Sequence, residues 1–216
     1  KRSGTNVGTN SNSYALTAAD SHANITVVVT ANDGNGGTPS ATSAIKAVTN
    51  AIPVNTVLPA ISGTAAVGNN LSASTGTWTD GDGDTPTYSY QWKRGGTNVG
   101  TNSNSYALTA ADAHANMTVV VTANDGNGGT PSATSAITAI ANAIPVNTVL
   151  PVISGTAAVG NNLSASTGTW TDNDGDTPTY SYQWKRGGTN VGTNSNSYAL
   201  TAADAHVNMT VVVTAN

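Results

Sequence analysis

The chain has no cysteine and no phenylalanine, and all eleven of its acidic residues are aspartate. Without cysteine there is no disulfide and no thiolate metal site. Charged residues are 8% of the sequence, against roughly 25% in an ordinary soluble domain. Seven Lys and Arg at a net charge of −4 cannot make a nucleic-acid-binding surface. No apolar run approaches the roughly 18 residues of a membrane-spanning helix. Strong helix formers are scarce, while Gly, Thr, Asn, Ser, Ala and Val fill most of the 216 residues, so long helices are excluded. The chain opens on Lys1-Arg2, with no initiator Met or signal peptide, so targeting is inferred only indirectly.

What is present is repetition. KRSGTNVGTNSNSYALTAAD begins at Lys1, and KRGGTNVGTNSNSYALTAAD recurs at Lys93 and Lys185, a spacing of 92 residues each time. Residues 1–92 and 93–184 differ only at Ser3, Ser21, Ile25, Lys46, Val48, Thr49, Ala60 and Gly81; the third copy departs from the second only at Val207. Such uniformity risks strand pairing between copies during folding. It gains little for an enzyme, and it lengthens a spacer or fibre with every copy.

Within one period, short alternating runs are bounded by turn residues. Tyr88, Tyr90 and Trp92 share one face of a predicted strand over 85–93. Met117, Val119 and Val121 share one face of a β-branched run. Tyr106 with Leu108, and Leu71 with Ala73, make shorter pairs, and 132–137 is a weaker final strand. Gly/Asn/Asp/Pro clusters separate these runs. About seven short strands in one period predict an all-β fold of two antiparallel sheets.

The chain resembles an immunoglobulin-like domain along its whole length. Tyr90-Gln91-Trp92 is similar to the strand that carries the buried Trp, and Leu108 to Asp112 followed by Met117-Thr118-Val119 resembles the corner leading into the next strand of that fold. Val119 stands where such domains carry their second Cys. More closely, Ile153-Ser154-Gly155-Thr156, Gly168-Thr169-Trp170, Tyr180 to Trp184 and Tyr198 to Asp204 resemble the bacterial immunoglobulin-like tandem repeats of large secreted or cell-surface adhesin-type proteins. The resemblance implies tandem sandwiches, an extracellular or cell-surface location and a mechanical role without enzymatic activity. Framed on the Pro-containing linkers 51–59 and 143–151, 53–144 is one complete repeat. Residues 1–52 lack its first three strands, 145–216 lack its last, and neither part is expected to close its own core. The implied partners are neighbouring repeats or subunits of the same protein, with a surface glycan or host matrix ligand gripped by a tip outside these repeats. A filament completed by strand donation between neighbours is an alternative.

A Val/Ala-rich core is small, and without glutamate a Lys–Asn–Glu isopeptide crosslink is unavailable, so an external staple would help. Asp80, Asp82 and Asp84 lie in one interstrand loop, and Asp172, Asp174 and Asp176 lie in its copy. In the immunoglobulin-like topology Asp125, from the Asn124–Gly129 loop, would converge on the first cluster. Clustered carboxylates repel unless a cation neutralises them, and oxygen ligands select calcium. The competing reading is a solvated Asp-Gly turn. His22, His114 and His206 supply one imidazole per period, which makes no triad, and read as surface residues. Trp78 and Trp170 could stack on a sugar in a carbohydrate-binding module, or cap the edge of the sandwich.

Overall fold

In a computed structural model, which describes all residues 1–216, the protein is an all-β chain of short antiparallel sheets. Its only helical elements are three 3-10 turns, Ala18–Asp20, Ala110–Asp112 and Ala202–Asp204. No helix is long and apolar enough to cross a membrane. The chain forms two compact units. The first comprises Lys1–Ser62, Leu71–Tyr106 and Asn116–Thr138, and the second comprises Gly63–Asn70, Ala107–Ala115 and Ala139–Asn216.

In the first unit the strands Thr97–Val99, Thr87–Arg94, Asn116–Asn124 and Ser132–Thr134 lie side by side in that order. Asn116–Asn124 shows why this sequence makes a strand. Met117, Val119, Val121 and Ala123 are fully buried, and the residues between them face outward. Its register sets Val119 opposite Trp92 and Val121 opposite Tyr90. Trp92 is sealed from water, donates its indole N–H to Ser103 O at 2.9 Å and stacks on Tyr106 with centroids 5.6 Å apart. Tyr106 belongs to a different sheet, so the indole ties two layers together. Leu71 and Ala73 add to the interior, and Ala73 N–H donates to Asn104 O while Ser74 N–H donates to Ala60 O.

The Asn-rich loop after Trp92 is a fastener rather than a tether. Asn102 Oδ1 accepts the Tyr90 N–H at 2.8 Å, which is why a polar loop sits against this strand. Gly76 has φ +74°, and a Cβ there would meet Val57 O at 2.2 Å. Only glycine lets the chain pass so close to the strand Val54–Val57.

Residues 1–52 form two small ribbons, Asn24–Ile25 with Lys46–Ala47 and Val28–Thr30 with Ser40–Thr42. Val27 and Val29, the sequence equivalents of the buried Val119 and Val121, are 51% and 62% exposed. The residues are the same and the environment differs, because no Tyr-Gln-Trp strand lies beside them.

In the second unit Thr189–Val191, Tyr180–Arg186 and Met209–Ala215 make one sheet and Ile153–Ser154, Asn162–Ala165 and Ser197–Ala199 another. Trp184, Leu163, Ala165 and Leu200 form the core between them, with Tyr198 stacked on the indole at 5.7 Å. Trp184 is wholly buried, and Met209 and Val211 beside it are half-buried. Trp92→Ala is expected to destabilise its sandwich by about 3–5 kcal/mol, measured by urea unfolding followed by circular dichroism; a loss below about 1 kcal/mol would show that the indole does not anchor the layers.

Candidate functional site

The acidic loops are shaped by their own backbone. Asp82 N–H donates to Asp80 Oδ1 at 3.0 Å, and Asp174 N–H donates to Asp172 Oδ1 at 3.1 Å, a two-residue Asx turn in each copy. In the first unit this loop meets two others. Ala51 N–H donates to Asp82 Oδ2 at 2.9 Å. Asn50 Nδ2 donates to Asp125 Oδ2 at 2.8 Å, and Asp125 Oδ1 accepts the N–H groups of Asn127 and Gly129. Asn127 Nδ2 reaches back to Asp84 Oδ2 at 2.8 Å. The structure therefore brings the two expected loops together, and the Asn50-Ala51 linker of the preceding copy joins them.

The carboxylates do not play equal parts. Asp80 and Asp82 face each other, and this contact raises the pKa of Asp80, with burial adding to it. The same contact, the Ala51 N–H and nearby His22 hold Asp82 below its ordinary value. Asp172 and Asp174 repeat the pattern in the second unit, with Ala143 N–H donating to Asp174 Oδ2 at 2.7 Å. Asp125 is lowered, chiefly by the Asn50 amide. The Asp82 side chain is 8% exposed and that of Asp174 is fully buried. Four buried side-chain oxygens have no hydrogen-bond partner, namely Asn50 Oδ1, Asp80 Oδ2, Asp82 Oδ1 and Asp174 Oδ1. Unpaired buried carboxylate oxygens are costly. An all-oxygen set suits a hard cation such as calcium.

The histidines are exposed, as their sequence suggests, and two of the three reach the acidic loops. His22 Nε2 lies 3.1 Å from Asp84 Oδ2 and 3.7 Å from Asp82 Oδ2, and His114 repeats this with Asp176 at 3.0 Å and Asp174 at 3.8 Å. A carboxylate can only accept, so the imidazole donates. His22, His114 and His206 all have positive φ, near +60°. Each lies two residues after a 3-10 turn, in the left-handed region. The pairs span 62 residues of sequence, so no local motif announces them.

A second polar feature also escaped the sequence reading. Asp20, Asp112 and Asp204 are buried. Asp20 accepts Thr17 N–H at 2.8 Å, Thr17 Oγ1–H at 2.9 Å, Arg2 Nε–H at 2.8 Å and the Tyr14 hydroxyl at 3.1 Å. Arg186, Tyr198 and Thr201 surround Asp204 in the same way. The signal was legible in Thr-Ala-Ala-Asp, a capping pattern at the head of each turn. Arg2 and Arg186 therefore anchor the buried carboxylates. Trp78 and Trp170 are half-buried; Trp78 donates its N–H to Thr75 O and tilts 47° against Tyr88. Trp170 does the same, with its N–H on Thr167 O and a 51° tilt against Tyr180.

No protein-family profile matches the chain, and no curated protein does.

The Thr17 backbone N–H and then Arg2 hold the Asp20 carboxyl far below its ordinary value, and the Thr201 hydroxyl and backbone do the same for Asp204. A depressed carboxyl contributes stability that is complete above its unfolded pKa of about 3.9 and drains as pH falls below it. Thermal melting from pH 6 to pH 2 should therefore show a falling midpoint that begins near pH 4. An Asp20→Asn, Asp204→Asn double variant should melt lower at pH 6 with a flatter acid limb, and an equally steep limb would exclude these two carboxyls as its source.

Proposed function

We propose that this chain is a structural segment of an extracellular, multi-repeat fibre or adhesin stalk, in which immunoglobulin-like sandwiches are copied to give reach. One observation carries the reading: the bonds that dock a copy onto its successor are themselves repeated. In the first unit Ala51 N–H binds Asp82 at 2.9 Å and His22 binds Asp84 at 3.1 Å. In the second unit Ala143 N–H binds Asp174 at 2.7 Å and His114 binds Asp176 at 3.0 Å. Every one of these residues is displaced by the 92-residue period. A head-to-tail contact made from two different surfaces does not use itself up, so it extends for as many copies as the gene supplies.

The composition supports the same role. Low charge and uniform copies suit a spacer, and the Pro-containing segments 51–59 and 143–151 limit the freedom of each linker. Recognition of a glycan or matrix partner would belong to a different, non-repetitive part of such a protein.

Chains carrying one, two or three additional 92-residue periods should lengthen by a constant increment of roughly 30–45 Å per period, the span of one sandwich with its end loops. Small-angle scattering and negative-stain imaging measure this directly. A maximum dimension that levels off as periods are added would sink the stalk reading.

A further inference from the structure

The unpartnered oxygens are not scattered. Three of the four, on Asn50, Asp80 and Asp82, belong to residues of the first unit that its junction already draws together. Asn50 adjoins Ala51, whose N–H holds Asp82, and Asp82 and Asp80 face each other. The neighbouring acids already accept donors of their own. Asp84 Oδ2 takes His22 and Asn127, and both oxygens of Asp125 are occupied by Asn50 and two backbone N–H groups. By donating its amide N–H to Asp125, Asn50 leaves its own Oδ1 buried and unsatisfied.

We propose that Asn50 Oδ1, Asp80 Oδ2 and Asp82 Oδ1 are the protein ligands of a calcium ion that straddles the linker of one copy and the acidic loop of the next. Asp125 positions Asn50 and does not ligate, and Asp84 belongs to the histidine contact. This assignment deepens the stalk reading and rests on it for its role, which is to stiffen the joint. Calcium takes six to eight oxygen ligands, so water completes the shell. The buried Asp82 side chain has a backbone donor on Oδ2 and nothing on Oδ1. A cation there satisfies the orphaned atom and cancels the repulsion between facing carboxylates. The second unit repeats the acidic half, with Asp174 fully buried and its Oδ1 unpaired. Its Asn142 donates instead to the adjacent Ala143 O, so that site is less complete and weaker.

The test is calorimetric titration of the full 216-residue chain with calcium, magnesium or zinc chloride. Calcium is expected to bind with a dissociation constant at or below about 1 mM, ahead of magnesium, which dehydrates reluctantly. Asp82→Asn and Asn50→Ala should each weaken the tighter site by more than about tenfold, while Asp84→Asn should change it by less than about threefold. Asn50→Ala removes no charge, and circular dichroism checks that each variant is folded. No calcium heat at about 10 mM on the folded chain, or equal losses in Asp84→Asn and Asp82→Asn, would overturn the assignment. So would zinc binding that His22→Ala abolishes, because His22, Asp82 and Asp84 also lie within 4.8 Å of one another. The length series, repeated in chelator, keeps the two ideas apart. A constant increment without calcium binding leaves the stalk standing and removes the ion, and an increment that vanishes in both conditions removes the stalk.

Discussion

Each sandwich hangs on one indole. With no phenylalanine and a core otherwise built from Val, Ala, Leu, Ile and Met residues, Trp92 and Trp184 are the fully buried aromatic side chains. Each indole lies on one sheet, stacks on a tyrosine of the other, and spends its N–H on a loop carbonyl, Ser103 O or Ser195 O. One side chain thereby fixes the layer spacing, the loop and the register of the neighbouring strand. Where that strand is absent, as beside Val27 and Val29, the same β-branched residues stay in water. Burial in this protein is set by neighbours more than by composition.

Polar groups do the work that apolar bulk does elsewhere. Asp20 and Asp204 gather an arginine, a tyrosine and a threonine into a buried knot at the 3-10 turn. The knot fixes the turn, and two residues beyond it His22 and His114 contact the acidic loops. Local capping and the joint between copies therefore lie side by side in the chain. The conflict that remains lies at the joint, where two carboxylates face each other with oxygens that the protein leaves unpaired.

The sheets were legible because alternation is local. Tyr88, Tyr90 and Trp92 announced a strand over 85–93, and Thr87–Arg94 is one. The burial of Trp92 followed from the immunoglobulin-like resemblance, and the meeting of the Asp80 to Asp84 loop with the Asp125 loop followed from its topology. The roles within that cluster were not legible. Which carboxylate is occupied depends on His22 and Asn50, which lie far from it in sequence and arrive from the preceding copy. The buried aspartates were missed for a different reason. Thr-Ala-Ala-Asp is a readable cap, but the arginine and tyrosine that make its burial tolerable stand 18 and 6 residues away.

The joint also distributes mutational risk unevenly. Its donor toward Asp82 is a main-chain amide, that of Ala51, and the donor toward Asp174 is that of Ala143. A main-chain amide survives every replacement except proline. The accepting carboxylate survives almost none. Sequence drift can therefore accumulate on the linker side without loosening the coupling, while the receiving loop is held to aspartate. Copies that diverge should do so asymmetrically, free at positions 51 and 143 and fixed at 82 and 174.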